Sequence, residues 1–466
     1  MRLLACSNSS PATEHAGAPA LRPDGAGGLI PHLASLLTRA GGDWVFADAG
    51  TPGRRWPERV GNVRLYPVPV TGAERAAHYE TVAIDVLQRM FHYLHDTETA
   101  PSFDPGLHEV WRTYRAVNQR FAAAAASTRP AVGTVVLVND YHLLLVPGMI
   151  RALVGEGVRL VYSHGVPWCE PHYFATLPAA VREEILTSVL SCDVVVCHAG
   201  GWRDALVRCC VRYLPGVEAT GDGVRYRGRH VRLAVVPFPL DAATVDELAG
   251  SPAVAEWTGR LAERAGGRRL LVRVDRLDLW KNHVRGCAAY AGLLRRNPRL
   301  ADEVWFLAVT TLPRYQSERH RAYEAASRRA VEQLNVEFGR VGGPPVATLL
   351  EVENTQEARV PAVAAMRAAD TVLINPTYEG FSMVAKEAVL LSGTSTVLLS
   401  HTAGAYDQLR ATAVPLEPFD VAAMSEVMEQ ALAGKLAPDP SERAAWRLRI
   451  RTERSVDWLA AALGER

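Results

Sequence analysis

The run Thr371-Val372-Leu373-Ile374-Asn375-Pro376-Thr377-Tyr378-Glu379-Gly380-Phe381-Ser382-Met383-Val384-Ala385-Lys386-Glu387 decides the fold of this chain. Its first four residues form a short apolar run, the pattern of a strand buried in a parallel sheet. A tight turn through Gly380 then leads into a helix. The first N–H groups of a helix have no partner inside it and lie at the positive end of its dipole, so Phe381, Ser382 and Met383 would offer theirs to an anionic diphosphate. Glu379 and Glu387 are eight residues apart, which on one continuous helix rotates them by roughly 80°. Glu379 therefore belongs to the loop, and Glu387 to the second helical turn.

Outward from this unit the same strand-then-helix rhythm recurs, which predicts an α/β architecture with mostly parallel sheets. Upstream strands are expected at Leu3 to Cys6, Thr134 to Val138, Val158 to Tyr162 and Asp193 to Val196, with a hairpin over Val224 to Val236 turning at Arg227-Gly228-Arg229. A Gly-rich loop ending in Gly25-Ala26-Gly27-Gly28 precedes a helical stretch from Leu29 to Arg39. Asn139-Asp140-Tyr141-His142 and Ser163-His164-Gly165 follow two of these strands, where α/β folds place ligands. After a hinge at Pro237-Phe238-Pro239 a second series begins, with strands at Arg269 to Val274, Val304 to Val309, Ala347 to Val352 and Val397 to Ser400.

A chain of 466 residues exceeds one ordinary core, so two large domains are expected. With 51 Lys+Arg against 50 Asp+Glu, nothing in the net charge of +1 draws the chain to nucleic acid or an anionic membrane. No apolar run approaches the roughly 20 residues of a membrane span. The seven cysteines show no metal-knuckle or disulfide-framework spacing, which points to buried thiols in a reducing, cytoplasmic setting.

Arg276 and Lys281, five residues apart just past a strand, could neutralise a leaving diphosphate as fixed positive charges. They stand upstream of the Glu379/Glu387 loop. Further pieces run in order along nearly the whole chain: Gly27-Gly28-Leu29, Phe91-His92-Tyr93, Asp140-Tyr141-His142-Leu143-Leu144, His164, Leu177-Pro178, Arg276-Leu277-Asp278 with Lys281, Met383-Val384-Ala385-Lys386-Glu387, and Ala403-Gly404-Ala405.

This series resembles the retaining glycosyltransferases of the GT-B fold and, within them, the trehalose-6-phosphate synthases of glycosyltransferase family 20. The resemblance implies two Rossmann-like, doubly wound domains facing a central cleft. The acceptor domain would span residues 1–237, the nucleotide-sugar donor domain 238–440, and a C-terminal segment, 441–466, would pack back across the seam with Trp446 and Trp458. It implies that Arg276 and Lys281 bind the donor diphosphate, that Glu387 binds the ribose and Glu379 the donor sugar hydroxyls. Gly27, Gly28, Gly380, Phe381, Ser382, Met383 and Val384 complete the implied donor site. His164 would lie against the donor sugar near the anomeric carbon, and Asp140 would bind acceptor hydroxyls with Tyr79 and Arg314. His164, Asp140, Arg276 and Lys281 form the implied catalytic set. Closure of the domains would assemble it and exclude water.

The donor is then a nucleotide-diphosphate sugar, with no metal or other cofactor, and the partners are small molecules; a homo-oligomer stays open. No carboxylate is placed for the covalent glycosidase route, which needs two carboxyls about 5 Å apart. Front-face retention, with the donor's own phosphate helping to deprotonate the acceptor, is what the resemblance implies.

The acceptor side departs from the family pattern. Ser9 stands where the family has a phosphate-binding arginine, Ala47 and Gln88 where it has tryptophans, and Glu379 where the synthases have aspartate. Removing a charged partner from a phosphate site costs about 1–3 kcal/mol or more, so an acceptor other than glucose 6-phosphate is expected, in specialised metabolism. A small hydroxylated acceptor fits, such as a cyclitol, a nucleoside or another specialised metabolite, and the matching Tyr79 and Arg314 leave open that it carries a phosphate. Two other readings are a pseudoglycosyltransferase of the validamycin type, joining a nucleotide-activated cyclitol to an aminocyclitol phosphate, and a silent nucleotide-sugar-binding regulator.

Overall fold

The computed structural model describes residues 2–11, 14–15, 18–19, 21, 29–50, 56–313, 315, 317–353, 359–436 and 439–465. Gly27, Gly28 and Arg314 lie outside the described residues. The chain divides into two compact units. The first holds Met1–Pro239 with Arg454–Arg466, and the second Leu240–Glu453.

In the first unit the strands are β1 (Leu3–Ser7), β2 (Glu14–His15), β3 (Ala18–Pro19), β4 (Gly42–Asp48), β5 (Arg59–Val60), β6 (Val63–Pro69), β7 (Val135–Asn139), β8 (Arg159–Ser163), β9 (Val194–Cys197), β10 (Glu218–Ala219), β11 (Gly223–Tyr226) and β12 (Arg229–Val235). Apart from the small β2–β3 hairpin they form one sheet in the order β10-β11-β12-β9-β8-β7-β1-β4-β6-β5. The pairings from β12 to β6 are parallel, with Ala5 opposite both Trp44 and Leu137. The wholly buried strands β1, β7 and β9 explain the near-continuous Val/Leu runs, because both faces are covered. Besides the two-residue strands β2, β3, β5 and β10, the longer strands β4 and β6 were hidden in the sequence. Pro67 and Pro69 sit inside β6, and Pro removes a ladder donor, so that run reads as a loop.

The second unit contains β13 (Arg269–Arg276), β14 (Val304–Thr311), β15 (Ala347–Glu351), β16 (Thr371–Ile374), β17 (Thr396–Ser400) and β18 (Ala413–Leu416). Their order is β15-β14-β13-β16-β17-β18, all parallel. Strand order reverses between β13 and β16, and in the first sheet between β1 and β7. Loops leaving the carboxyl ends at such a reversal diverge and open a crevice, which is where α/β sheets bind ligands.

The C-terminal segment 441–466 does not act as one piece. Helix Pro440–Thr452 stays with the second unit, where Arg443 Nη1 donates to Gly393 O at 3.1 Å and Arg447 Nε to Val389 O at 3.0 Å. Trp446 remains partly exposed beneath the Arg449 guanidinium. Only the helix Ser455–Leu463 joins the first unit, burying Trp458, Leu459, Ala462 and Leu463 among side chains of β1, β4 and the helix Leu29–Ala40. The two arginines find carbonyl acceptors, which side-chain patterns do not reveal.

Candidate active site

In the second unit, Lys281 and Glu379 come from different loops at the β13/β16 reversal. Lys281 ends a short 3-10 turn after β13, and Asn282, at φ 64°, reverses the chain into helix His283–Arg296. The Glu379 loop is held by main-chain bonds: Thr377 N donates to Trp280 O at 2.8 Å, and Gly404 N to Glu379 O at 3.0 Å. Glu379 also bridges to Ala403. Lys281 Nζ is bonded to Glu379 Oε1 and lies 3.1 Å from Asp275 Oδ1. Burial works against the ammonium charge, but the Glu379 and Asp275 carboxylates outweigh it and hold the pKa above the usual lysine range.

Beneath this pair lies a fully buried arginine. Arg273 donates to Asp275 Oδ2 at 2.8 and 3.2 Å, to Asn375 Oδ1 at 2.9 Å and to the carbonyl of Lys281. It ties the end of β13 to the end of β16. Arg273, Asp275 and Asn375 are site-builders absent from the sequence candidates. Their signal is a cation inside the apolar run Leu270-Leu271-Val272-Arg273-Val274, which a core tolerates only with partners.

Ser382 has φ 86° and caps helix Met383–Leu391. A non-glycine residue there is strained, and such strain gathers at ligand sites. Among the described residues, Ser382 Oγ and Glu379 Oε2 are buried polar atoms without a hydrogen-bond partner. Buried polar groups are normally paired, so both atoms keep bonding capacity that a ligand could use. Phe381 is buried and Gly380 is buried beside it, while Met383 and Val384 are partly exposed at the helix start.

Arg276 and Glu387 make ion pairs with other residues. Arg276 is half exposed and forms a two-point contact with Asp278 Oδ2 at 2.8 and 2.9 Å. Glu387 Oε1 is 3.1 Å from Arg359 Nη2; burial raises its pKa, and Arg359 offsets part of the rise. Arg359 was not anticipated, because nothing local to either residue links them.

In the first unit Asp140 follows β7 with φ 71°. Its Oδ1 accepts from Tyr141 N at 3.0 Å and from Gly165 N at 3.3 Å, so one carboxylate joins the loops after β7 and β8. Burial pushes the carboxyl up to about 6, against the pull of those two N–H groups. Gln88 Nε2 donates to Tyr141 Oη at 2.7 Å. Tyr141 stacks on His142 at 4.2 Å between ring centroids, and His142 on Tyr79 at 5.5 Å. Tyr79 and Gln88 both ride on the π-type helix Ala76–Gln88, a rare form found at functional sites.

His164 is buried, edge-on to Phe91 with centroids 4.6 Å apart. Its Nδ1 is 2.9 Å from Tyr162 Oη and its Nε2 3.3 Å from Pro167 O. With Nε2–H donating to the carbonyl, Nδ1 accepts from the tyrosine. Burial pushes the imidazole down to about 3, so the ring is neutral and neither nitrogen is free for proton transfer.

These loops, built at two strand-order reversals, fit the family comparisons. The family model described as Glycosyltransferase family 20 matches residues 48–465. A trehalose-6-phosphate synthase of Mycolicibacterium gilvum is 30% identical over 425 residues, covering 87% of this chain and 81% of that protein. A bifunctional trehalose-6-phosphate synthase/phosphatase of Thermoproteus tenax is 29% identical over 454 residues, 93% of this chain, which spans 59% of that longer protein. Among solved structures, an alpha,alpha-trehalose-phosphate synthase (UDP-forming) from Burkholderia xenovorans in complex with glucose-6-phosphate superposes with a TM-score of 0.85 at 22% identity, covering 100% of this chain and 99% of that one. An E. coli structure bound with UDP-2-fluoro glucose gives 0.84 at 21% identity, covering 100% and 98%. No described helix is long and apolar enough to cross a membrane. The chain therefore belongs to glycosyltransferase family 20, with the GT-B fold of that family and its class of activity, nucleotide-sugar-dependent retaining glycosyl transfer.

Proposed function

We propose that this protein moves a hexosyl group from a nucleotide-diphosphate sugar to a small hydroxylated acceptor other than glucose 6-phosphate. One observation supports the donor half above all others. Ser382 Oγ and Glu379 Oε2 are buried without partners beside the Lys281 ammonium and a helix start, a polar set that an anionic sugar diphosphate would complete. In this reading Lys281 and Arg276 receive the negative charge that develops on the departing diphosphate, without a metal. Glu379 accepts from the sugar hydroxyls and Glu387 from the ribose. The bond from the anomeric carbon to the phosphate oxygen breaks, a bond from that carbon to the acceptor oxygen forms on the same face, and the acceptor's proton passes to a phosphate oxygen. His164, neutral and fixed, acts as a wall, while Asp140 accepts from the acceptor hydroxyl.

Ser9 supports the acceptor half: its carbonyl is bonded by Ser7 Oγ, and its side chain carries no charge for a phosphate. Ser7 Oγ in turn accepts from Trp44 Nε1 at 2.9 Å. Relatives named for trehalose-6-phosphate make UDP-glucose the first donor to test. Incubation with a panel of nucleotide sugars, with and without candidate acceptors, reads hydrolysis and transfer. Efficient transfer from UDP-glucose to glucose 6-phosphate would overturn the acceptor assignment; the absence of binding to every nucleotide sugar would overturn the donor assignment.

A further inference from the structure

One carboxylate gathers four parts of the second unit. Lys386, on helix Met383–Leu391, has a fully buried side chain whose Nζ lies 2.8 and 2.6 Å from the two oxygens of Glu453. Glu453 Oε2 accepts from Leu240 N at 3.1 Å, and Oε1 from Gln408 Nε2 at 3.0 Å. Leu240 is the first residue of the unit and Glu453 the last, so the chain enters and leaves at the same carboxylate. Gln408 belongs to helix Ala405–Leu409, whose Ala405 N donates to Phe381 O at 2.6 Å. The Lys386 ammonium also lies 5.0 Å from the centre of the Phe381 ring.

A buried ion pair of this kind adds little net stability, because desolvating two charges offsets their attraction. An apolar pair of similar volume would hold the fold as well. What the charges add is direction: the lysine is fixed at one angle relative to the chain crossing. It carries with it the helix that starts at the unpartnered Ser382 hydroxyl.

We infer that Lys386 and Glu453 are positioning residues for transfer, locking the loop Glu379 to Ser382 in register with the points where the chain enters and leaves the second unit. The inference rests on reading that loop as the diphosphate site. Neither residue touches the reacting atoms; both act through Phe381 and the helix start.

The double variant K386M/E453Q removes both charges and keeps an acceptor oxygen for Leu240 N. It is expected to melt within a few degrees of the wild type and to bind UDP-glucose within about threefold, while turnover falls roughly 30- to 100-fold, since misplacement near 1 Å costs about that much. Amide exchange over Phe381 to Ala385 should quicken by about tenfold or more. Glu453→Asp keeps the charge and should restore part of the turnover; it carries the same readouts if the double variant does not fold. Wild-type turnover together with unchanged exchange would overturn the inference. If no nucleotide sugar of the panel binds to or is hydrolysed by the wild type, the donor reading fails separately and exchange alone decides: unchanged rates refute the positioning role, and quickened rates support it.

Discussion

Replacing Asp140 by Asn should make the protein more stable and less active. The wild-type carboxyl is raised by burial from 3.8 to about 6. At pH 8 it is ionised in both states, and holding that charge in the fold costs up to about 3 kcal/mol, at ~1.4 kcal/mol for each tenfold change in proton affinity. Both backbone bonds go to Oδ1, so an asparagine with its oxygen in that place keeps the acceptor of Tyr141 N and Gly165 N and loses only the charge. The sign follows from linkage. Between 3.8 and 6 the folded state binds more protons than the unfolded, so the raised carboxyl favours folding at low pH, and that help is lost as pH rises through 6. The gain from Asn should therefore be about 3 kcal/mol at pH 8 and about half that at pH 5, a melting shift of ~2–4 °C per kcal/mol for a domain of this size. Turnover should fall roughly 10- to 100-fold through loss of a charged acceptor for the substrate hydroxyl. Thermal unfolding at both pH values, with activity measured alongside, tests this. A variant less stable than wild type at pH 8, or a gain equal at the two pH values, would refute the burial argument; unchanged turnover would refute the role.

Lys281→Met leaves the Asp275 and Glu379 carboxylates beside an empty place for their cation, so stability should drop by about 3–5 kcal/mol in urea titrations and turnover by roughly 10²- to 10³-fold. Lys281→Arg, which keeps the charge, separates the two effects, and near-normal turnover in the Met variant would sink the diphosphate assignment. Arg273→Met breaks a wholly buried ion pair and should cost about 3–5 kcal/mol; a loss below about 1 kcal/mol would show that the network contributes little. Ser9→Arg restores a cation on the acceptor side and should raise kcat/KM for glucose 6-phosphate by about tenfold or more, while an unchanged value would count against that residue as the reason for acceptor choice.

The features legible in the sequence were the local ones. Thr371 to Ile374 is a buried strand and Met383 begins the helix after it, because periodicity and the Gly-Phe-Ser turn act over a few residues. Asp140 and Gly165 are joined because each follows a strand and those two strands are neighbours in the sheet. What escaped depends on distance along the chain. Arg273 meets Asn375 at a separation of 102 residues, and Lys386 meets Glu453 at 67. No local pattern announces such partners. Glu379 and Lys281 each read as a loop residue at a strand end, holding different parts of a donor; that they hold each other was not visible. Strand β6 was missed because its prolines argue locally against a ladder that neighbouring β4 nevertheless completes.

The helix Ser455–Leu463 bears on how the chain comes to be folded. During synthesis the second unit, continuous from Leu240 to Glu453, emerges whole and can close its core at once. The first unit emerges earlier, yet its core waits more than two hundred residues for Trp458, Leu459, Ala462 and Leu463. Until they arrive, the side chains they cover on β1, β4 and the helix Leu29–Ala40 face water. The part made first is finished last, and a chain cut between Glu453 and Ser455 would carry a damaged first unit and a complete second one.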